Sequence, residues 1–99
     1  MWWAVSLRMV AELLFEVFRG KLNPSDAAVI YREETGCDLL EALSRLEDYW
    51  EERAPHCSEA LMVFNPTGPR ISLSHREVKR CVELVPPDPG RGRGTGRDR

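Results

Sequence analysis

Apolar and polar positions along the chain divide it into helical segments before anything else is considered. From Leu7 to Phe18 nearly every position is apolar, and Arg8, Glu12, Glu16 and Arg19 gather in one arc. At 100° per residue that arc is roughly 80° wide. An ordinary surface helix buries a stripe a little over about 100° wide, so a helix over 3–19 must be covered on several sides. Gly20 ends it. Asn23-Pro24-Ser25-Asp26 then opens a second helix over 24–34, with Asn23 as N-cap, Pro24 at the first helical position and Asp26 in the first turn.

Thr35-Gly36 closes the second helix, since glycine takes a left-handed helix end without a Cβ penalty. A third helix spans 38–53, capped by Asp38 with Glu41 completing a capping-box-like pair. Leu39, Leu43, Leu46 and Trp50 form its core stripe; Glu41, Glu47, Asp48, Glu51 and Glu52 make its other face acidic. Pro55 stops it. The apolar run 60–64, the turn Asn65-Pro66-Thr67-Gly68-Pro69 and the alternation at 70–73 predict a β-hairpin. A competing reading makes 58–64 a turn or two of helix. Ser74 and Glu77 form a capping box ahead of Val78, Cys81, Val82 and Val85, which predicts a C-terminal helix over 75–85. The expected fold is therefore α+β, mostly α, in a single domain over 1–85 followed by a disordered Gly/Arg-rich tail over 86–99.

Composition sharpens this. Ninety-nine residues leave room for one small domain, and a chain that short buries only roughly 60% of its unfolded surface, so a marginal core, open to stabilisation by a partner, is expected. The net charge of −2 is unevenly placed. Residues 1–85 carry ten basic against fourteen acidic groups, while the tail carries four arginines and two aspartates. No apolar run approaches the roughly 20 residues that cross a bilayer, and Met1-Trp2-Trp3 offers neither the basic start nor the unbroken apolar middle of a signal peptide. An odd count of three cysteines (Cys37, Cys57, Cys81) is unlike a disulfide framework, so a reducing, cytoplasmic setting is expected.

Residues 19–47 resemble a known unit. Arg19-Gly20-Lys21, then Ala28-Val29-Ile30-Tyr31-Arg32-Glu33-Glu34-Thr35-Gly36-Cys37, then Leu39-Leu40-Glu41-Ala42 resemble the helix–turn–helix of the ribosomal protein L7/L12 C-terminal domain and the small bacterial proteins that carry this unit alone. The resemblance implies a tight Thr-Gly turn and a close helix approach at Ala28 and Ala42. That family places a second glycine and a lysine where translation factors dock. Asp38 and Leu40 stand there instead, so translation-factor recruitment is not carried over. Over 22–85, three helices, a hairpin and Arg70-Ile71-Ser72-Leu73-Ser74 leading into a helix resemble a winged-helix module. Its reading helix would be the acidic 38–53 segment, which phosphates repel.

Candidate chemistry is sparse. His56, Cys57, His75 and Cys81 are potential zinc ligands, but their spacing is not that of a closed site, and no metal is expected. Nothing in the sequence supplies an orienting acid or oxyanion hole for Cys57 as a nucleophile. The tail glycines lack the Gly-Lys-Ser/Thr ending of a phosphate loop. No cofactor, catalytic residue or small-molecule substrate is expected, and the membrane is not an expected partner.

The sequence therefore predicts a non-enzymatic interaction or adaptor module. It would bind a protein partner or a second copy through the surplus apolar face of the first helix (Trp2, Trp3, Val10, Leu14, Phe18). The alternative is a nucleic-acid-associated protein using Arg70, Arg76, Lys79, Arg80 and the tail residues Arg91 and Arg93.

Overall fold

The computed structural model describes residues 6–65 and 71–87. Its order is α1 (Leu7–Phe18), α2 (Pro24–Thr35), α3 (Leu39–Arg53), a 3₁₀ segment (Pro55–Phe64) and α4 (His75–Leu84). Every regular element among the described residues is helical, and none is a strand.

Helix ends follow local chemistry in most cases. The Ser6 hydroxyl caps α1 by accepting from the Met9 amide at 3.2 Å. Gly36, at φ 77°, ends α2 in the left-handed region, with its amide donating to the Arg32 carbonyl. The capping box of α4 is complete: Glu77 N–H donates to Ser74 Oγ at 3.2 Å, and Ser74 N–H donates to Glu77 Oε1 at 2.8 Å. Two expectations need correction. Asn23 occupies the N-cap position of α2 but makes no side-chain cap hydrogen bond. Asp38 caps α3 alone, accepting from Leu40, because Glu41 is drawn one turn along the helix to Arg45 at 3.2 Å.

Among the described residues the expected β-hairpin is absent. Residues 60–64 belong to the 3₁₀ segment, which runs from Pro55 to Phe64, so the competing helical reading of 58–64 is the one realised. The physical reason is period. Residues three apart eclipse in a 3₁₀ helix, which stacks Cys57, Ala60 and Val63 on one row and Leu61 and Phe64 on the next. Cys57 and Ala60 are fully buried, while Leu61, Val63 and Phe64 pack against the core from its margin. An alternating strand would instead have turned every second apolar residue to solvent. Residues 71–74 have no regular structure, and the intervening turn 66–69 and Arg70 lie outside the described residues. The fold is therefore all-helical where it is described: the hairpin strand expected over 60–64 is 3₁₀ helix, and residues 71–73 of the wing strand expected over 70–73 are irregular. Of the tail, 88–99 also lies outside the described residues.

α1 is the axis of the assembly. It packs against α2, α3, the 3₁₀ segment and α4, which accounts for its surplus of apolar positions. Val10, Ala11, Leu14 and Val17 are its innermost residues, and they share the core with Tyr31, Leu46, Trp50 and Val78. Close approach of α2 is made by Ala27, which is fully buried, rather than by Ala28, which is half-buried; Ala42 of α3 is buried as expected. The carbonyls at the end of α4 find partners on other elements: Leu84 O accepts from Tyr49 Oη at 3.2 Å and Val85 O from Arg8 Nη1 at 2.9 Å.

The largest departure from the sequence reading is covalent. Cys57 of the 3₁₀ segment and Cys81 of α4 form a disulfide, with Cα atoms 5.8 Å apart, and Cys37 is the free cysteine. The odd count predicts reduced thiols, but pairing depends on where the fold brings the Cα atoms, not on parity. No helix among the described residues is long and apolar enough to cross a membrane.

Candidate functional site

The residues singled out from the sequence scatter. Val10 and Leu14 are fully buried between α1 and its neighbours, so they hold the fold together and are closed to a partner. Phe18 is half-buried and packs edge-on against His75, with ring centroids 4.9 Å apart. His75 is the first residue of α4 and does not join the cluster formed by the other candidate metal ligands. Trp2, Trp3, Arg70, Arg91 and Arg93 lie outside the described residues. Arg76, Lys79 and Arg80 sit together on the exposed face of α4.

What remains open on α1 is a different stripe. Met9, Glu12, Leu13 and Glu16 follow the i, i+3, i+4, i+7 spacing that puts side chains on one helix face. With Phe15 and with Val82 from α4 they line an open groove of about 330 Å³. Met9, Leu13 and Phe15 are only half-buried, because α4 crosses α1 without covering this face. The groove has an apolar floor and an acidic rim. Glu12 is met by Arg8 at 2.9 Å and Glu16 by Arg19 at 3.5 Å. Arg19 also lies over the Phe15 ring, 5.5 Å from its centroid. The Arg19–Glu16 pair is exposed and worth about 0–1 kcal/mol, so it yields readily to a competing cation, whereas Arg8 is more buried and also held by the Val85 carbonyl.

Charge elsewhere is consistent with this rim. All six acidic residues of Asp38–Arg53 are exposed, and only Arg45 and Arg53 answer them along the helix, at 3.2 Å from Glu41 and Glu52. Leu40, at 73% exposure, is the most open large apolar side chain of the described residues, but it stands alone on this acidic surface.

A second constellation, whose sequence spacing is not that of a closed metal site, is assembled by the fold. His56, Cys57 and Cys81 each offer a ligand atom, and these atoms lie within 4.8 Å of one another. His56 Nε2 is 3.7 Å from Cys57 Sγ. Both cysteines are buried and His56 is exposed.

Sequence reasoning missed Met9, Leu13, Phe15 and Val82. The wheel identified a surplus of apolar face, but which part of it α4 leaves open depends on the crossing of α1 and α4. No protein-family model, curated protein or solved structure matches this chain.

Proposed function

We propose that this protein is a non-enzymatic interaction module whose α1/α4 groove receives an apolar protein segment flanked by Lys or Arg. The observation that carries this reading is the groove itself: Met9, Leu13, Phe15 and Val82 form a half-exposed apolar floor, edged by the carboxylates of Glu12 and Glu16. An apolar floor supplies affinity by burial, at about 25 cal/mol per Å² removed from water. The carboxylate rim, on a body rich in acidic groups, selects a cationic flank and steers its approach. The cytoplasmic setting belongs to the same reading; there the Cys57–Cys81 pair would stand as the dithiol.

Two amphipathic probe peptides test it, one of Leu and Lys and one of Leu and Glu. Saturable, salt-sensitive binding of the Lys peptide alone, lost in Leu13→Asp, is the expected result. Sedimentation at micromolar concentration distinguishes the occupant. A mass above 11.3 kDa that returns to 11.3 kDa in Leu13→Asp assigns the groove to a second copy. A strict monomer indifferent to both peptides overturns the reading.

A second reading rests on Arg76, Lys79 and Arg80, which form one exposed basic patch on α4. It predicts RNA binding that falls steeply with salt and weakens when residues 88–99 are removed. Unchanged affinity after truncation removes the tail from that reading.

A further inference from the structure

The groove makes no use of His56, Cys57 and Cys81, although these are the most chemically capable side chains of the described residues. The 3₁₀ segment turns Cys57 inward and leaves the adjacent His56 at the surface, and α4 delivers Cys81 from 24 residues away. We infer that in the dithiol state these three residues bind a single thiophilic cation of the Zn²⁺ class, so that reduction replaces a covalent cross-link between the 3₁₀ segment and α4 with a coordinate one.

Ligand chemistry selects the class of ion. Two thiolates and an imidazole suit Zn²⁺ or Cu⁺, whereas Mg²⁺ and Ca²⁺ require oxygen donors, which this cluster lacks. Geometry agrees. With Zn–S near 2.3 Å, Zn–N near 2.0–2.1 Å and tetrahedral angles, a bound sulfur and nitrogen lie about 3.6 Å apart and two sulfurs about 3.8 Å. His56 Nε2 and Cys57 Sγ are already 3.7 Å apart, and all three ligand atoms lie within 4.8 Å of one another, so the site closes by side-chain rotations that move these atoms about 1 Å. The sulfurs reach their separation by side-chain rotation once unbonded, since Cα atoms 5.8 Å apart serve either state. Three protein ligands leave a fourth position for water, and the exposed imidazole marks the side from which the ion enters.

The chemistry balances in two steps. A dithiol reductant delivers two electrons and two protons, the Cys57–Cys81 S–S bond breaks to two thiols, and the reductant closes to its own disulfide. The divalent ion then displaces one proton from each thiol, while neutral His56 donates the Nε2 lone pair. Two protons are released per ion bound.

Cobalt(II) is the probe, because tetrahedral thiolate ligation gives it intense visible bands and sulfur-to-metal charge transfer. The full chain is reduced with a phosphine, freed of excess reductant without air, and titrated with cobalt(II) while helicity is followed by circular dichroism. One cobalt per reduced chain is expected, with thiolate bands and native helicity, and no such bands in the oxidised chain. Cys37→Ser should leave the titration unchanged. His56→Ala, at an exposed position, should weaken binding at least about tenfold, since even groups that merely orient a ligand are worth 10–100-fold. The proposal is overturned if the reduced chain shows no thiolate bands, if the bands follow Cys37, if His56→Ala leaves affinity unchanged, or if cobalt binds only a chain that has lost its helicity.

Discussion

The Tyr31 hydroxyl closes a two-way latch on the backbone of Ser6: it accepts from the Ser6 amide at 2.8 Å and donates to the Ser6 carbonyl at 3.2 Å. Both residues are buried, and Ser6 is also the cap of α1, so this one side chain of α2 fixes the point at which the central helix begins. Thr35 repeats the device one turn further along α2. Its hydroxyl donates to Tyr31 O at 2.7 Å and accepts from Cys37 N at 3.1 Å, which holds the turn into α3.

Tyr31→Phe should therefore cost about 1–3 kcal/mol, the range for leaving a buried donor unmet. The Ser6 carbonyl keeps the Val10 amide as donor at 3.1 Å, so the loss falls mainly on the Ser6 N–H. Urea denaturation measures it. A change of only a few tenths of a kcal/mol would show that the latch is not needed.

Reducing the Cys57–Cys81 disulfide should destabilise the metal-free protein. For a loop closed across 24 residues the chain-entropy relation gives about 3.5 kcal/mol. In a domain of this size that lowers Tm by more than about 10 °C. Thermal melts with and without reductant check the value, and Cys37→Ser should leave the difference intact. Zinc added to the reduced protein should recover part of the lost Tm if His56, Cys57 and Cys81 hold the ion.

Adjacent leucines on α1 should separate folding from binding. Leu14 is fully buried, so Leu14→Ala should cost about 2–5 kcal/mol. Leu13 is half-exposed in the groove, and Leu13→Asp should cost much less while abolishing peptide capture or self-association. Paired denaturation and binding measurements on the two variants decide the matter. Equal stability losses would place Leu13 in the core rather than at a site.

Glu59 links the 3₁₀ segment to the irregular residues before α4. Its carboxylate accepts from the Ser72 hydroxyl at 2.6 Å and from the Ser72 amide. These two bonds, the side-chain one foremost, hold its pKa below the ordinary glutamate value. Because the folded pKa is depressed, the contribution is fully present above the unfolded value near 4.5 and is lost as pH falls through the lower folded value. The Ser72 amide resonance should titrate with a midpoint below 4.5, and Glu59→Gln should remove that titration. A midpoint at or above the ordinary value would mean that the link does not form in solution.

Much of the architecture is legible in local residue chemistry. The caps at Gly36 and Ser74, the stripe Leu39–Leu46–Trp50 and the four α-helices are written in spacings of three and four residues, because a helix satisfies its backbone within itself and needs only nearby residues to specify it. The acidic face of α3 is legible for the same reason. So is the overwidth of α1's apolar surface, which its four neighbours explain.

Other features depend on separations no local pattern encodes. Residues 60–64 are a short apolar run that suits a strand or a helix equally, and packing of their three-residue rows against α1 and α3 selects the 3₁₀ form. The groove is open because of how α4 crosses α1, so the helical wheel, which put Leu14 rather than Leu13 on the partner face, could not tell core from site. His56, Cys57 and Cys81 meet because two elements converge, which no ligand-spacing rule for a single segment anticipates. Local spacing is enough to specify the helices and their charge, whereas which apolar face stays open and which cysteines meet are set by contacts between elements distant along the chain.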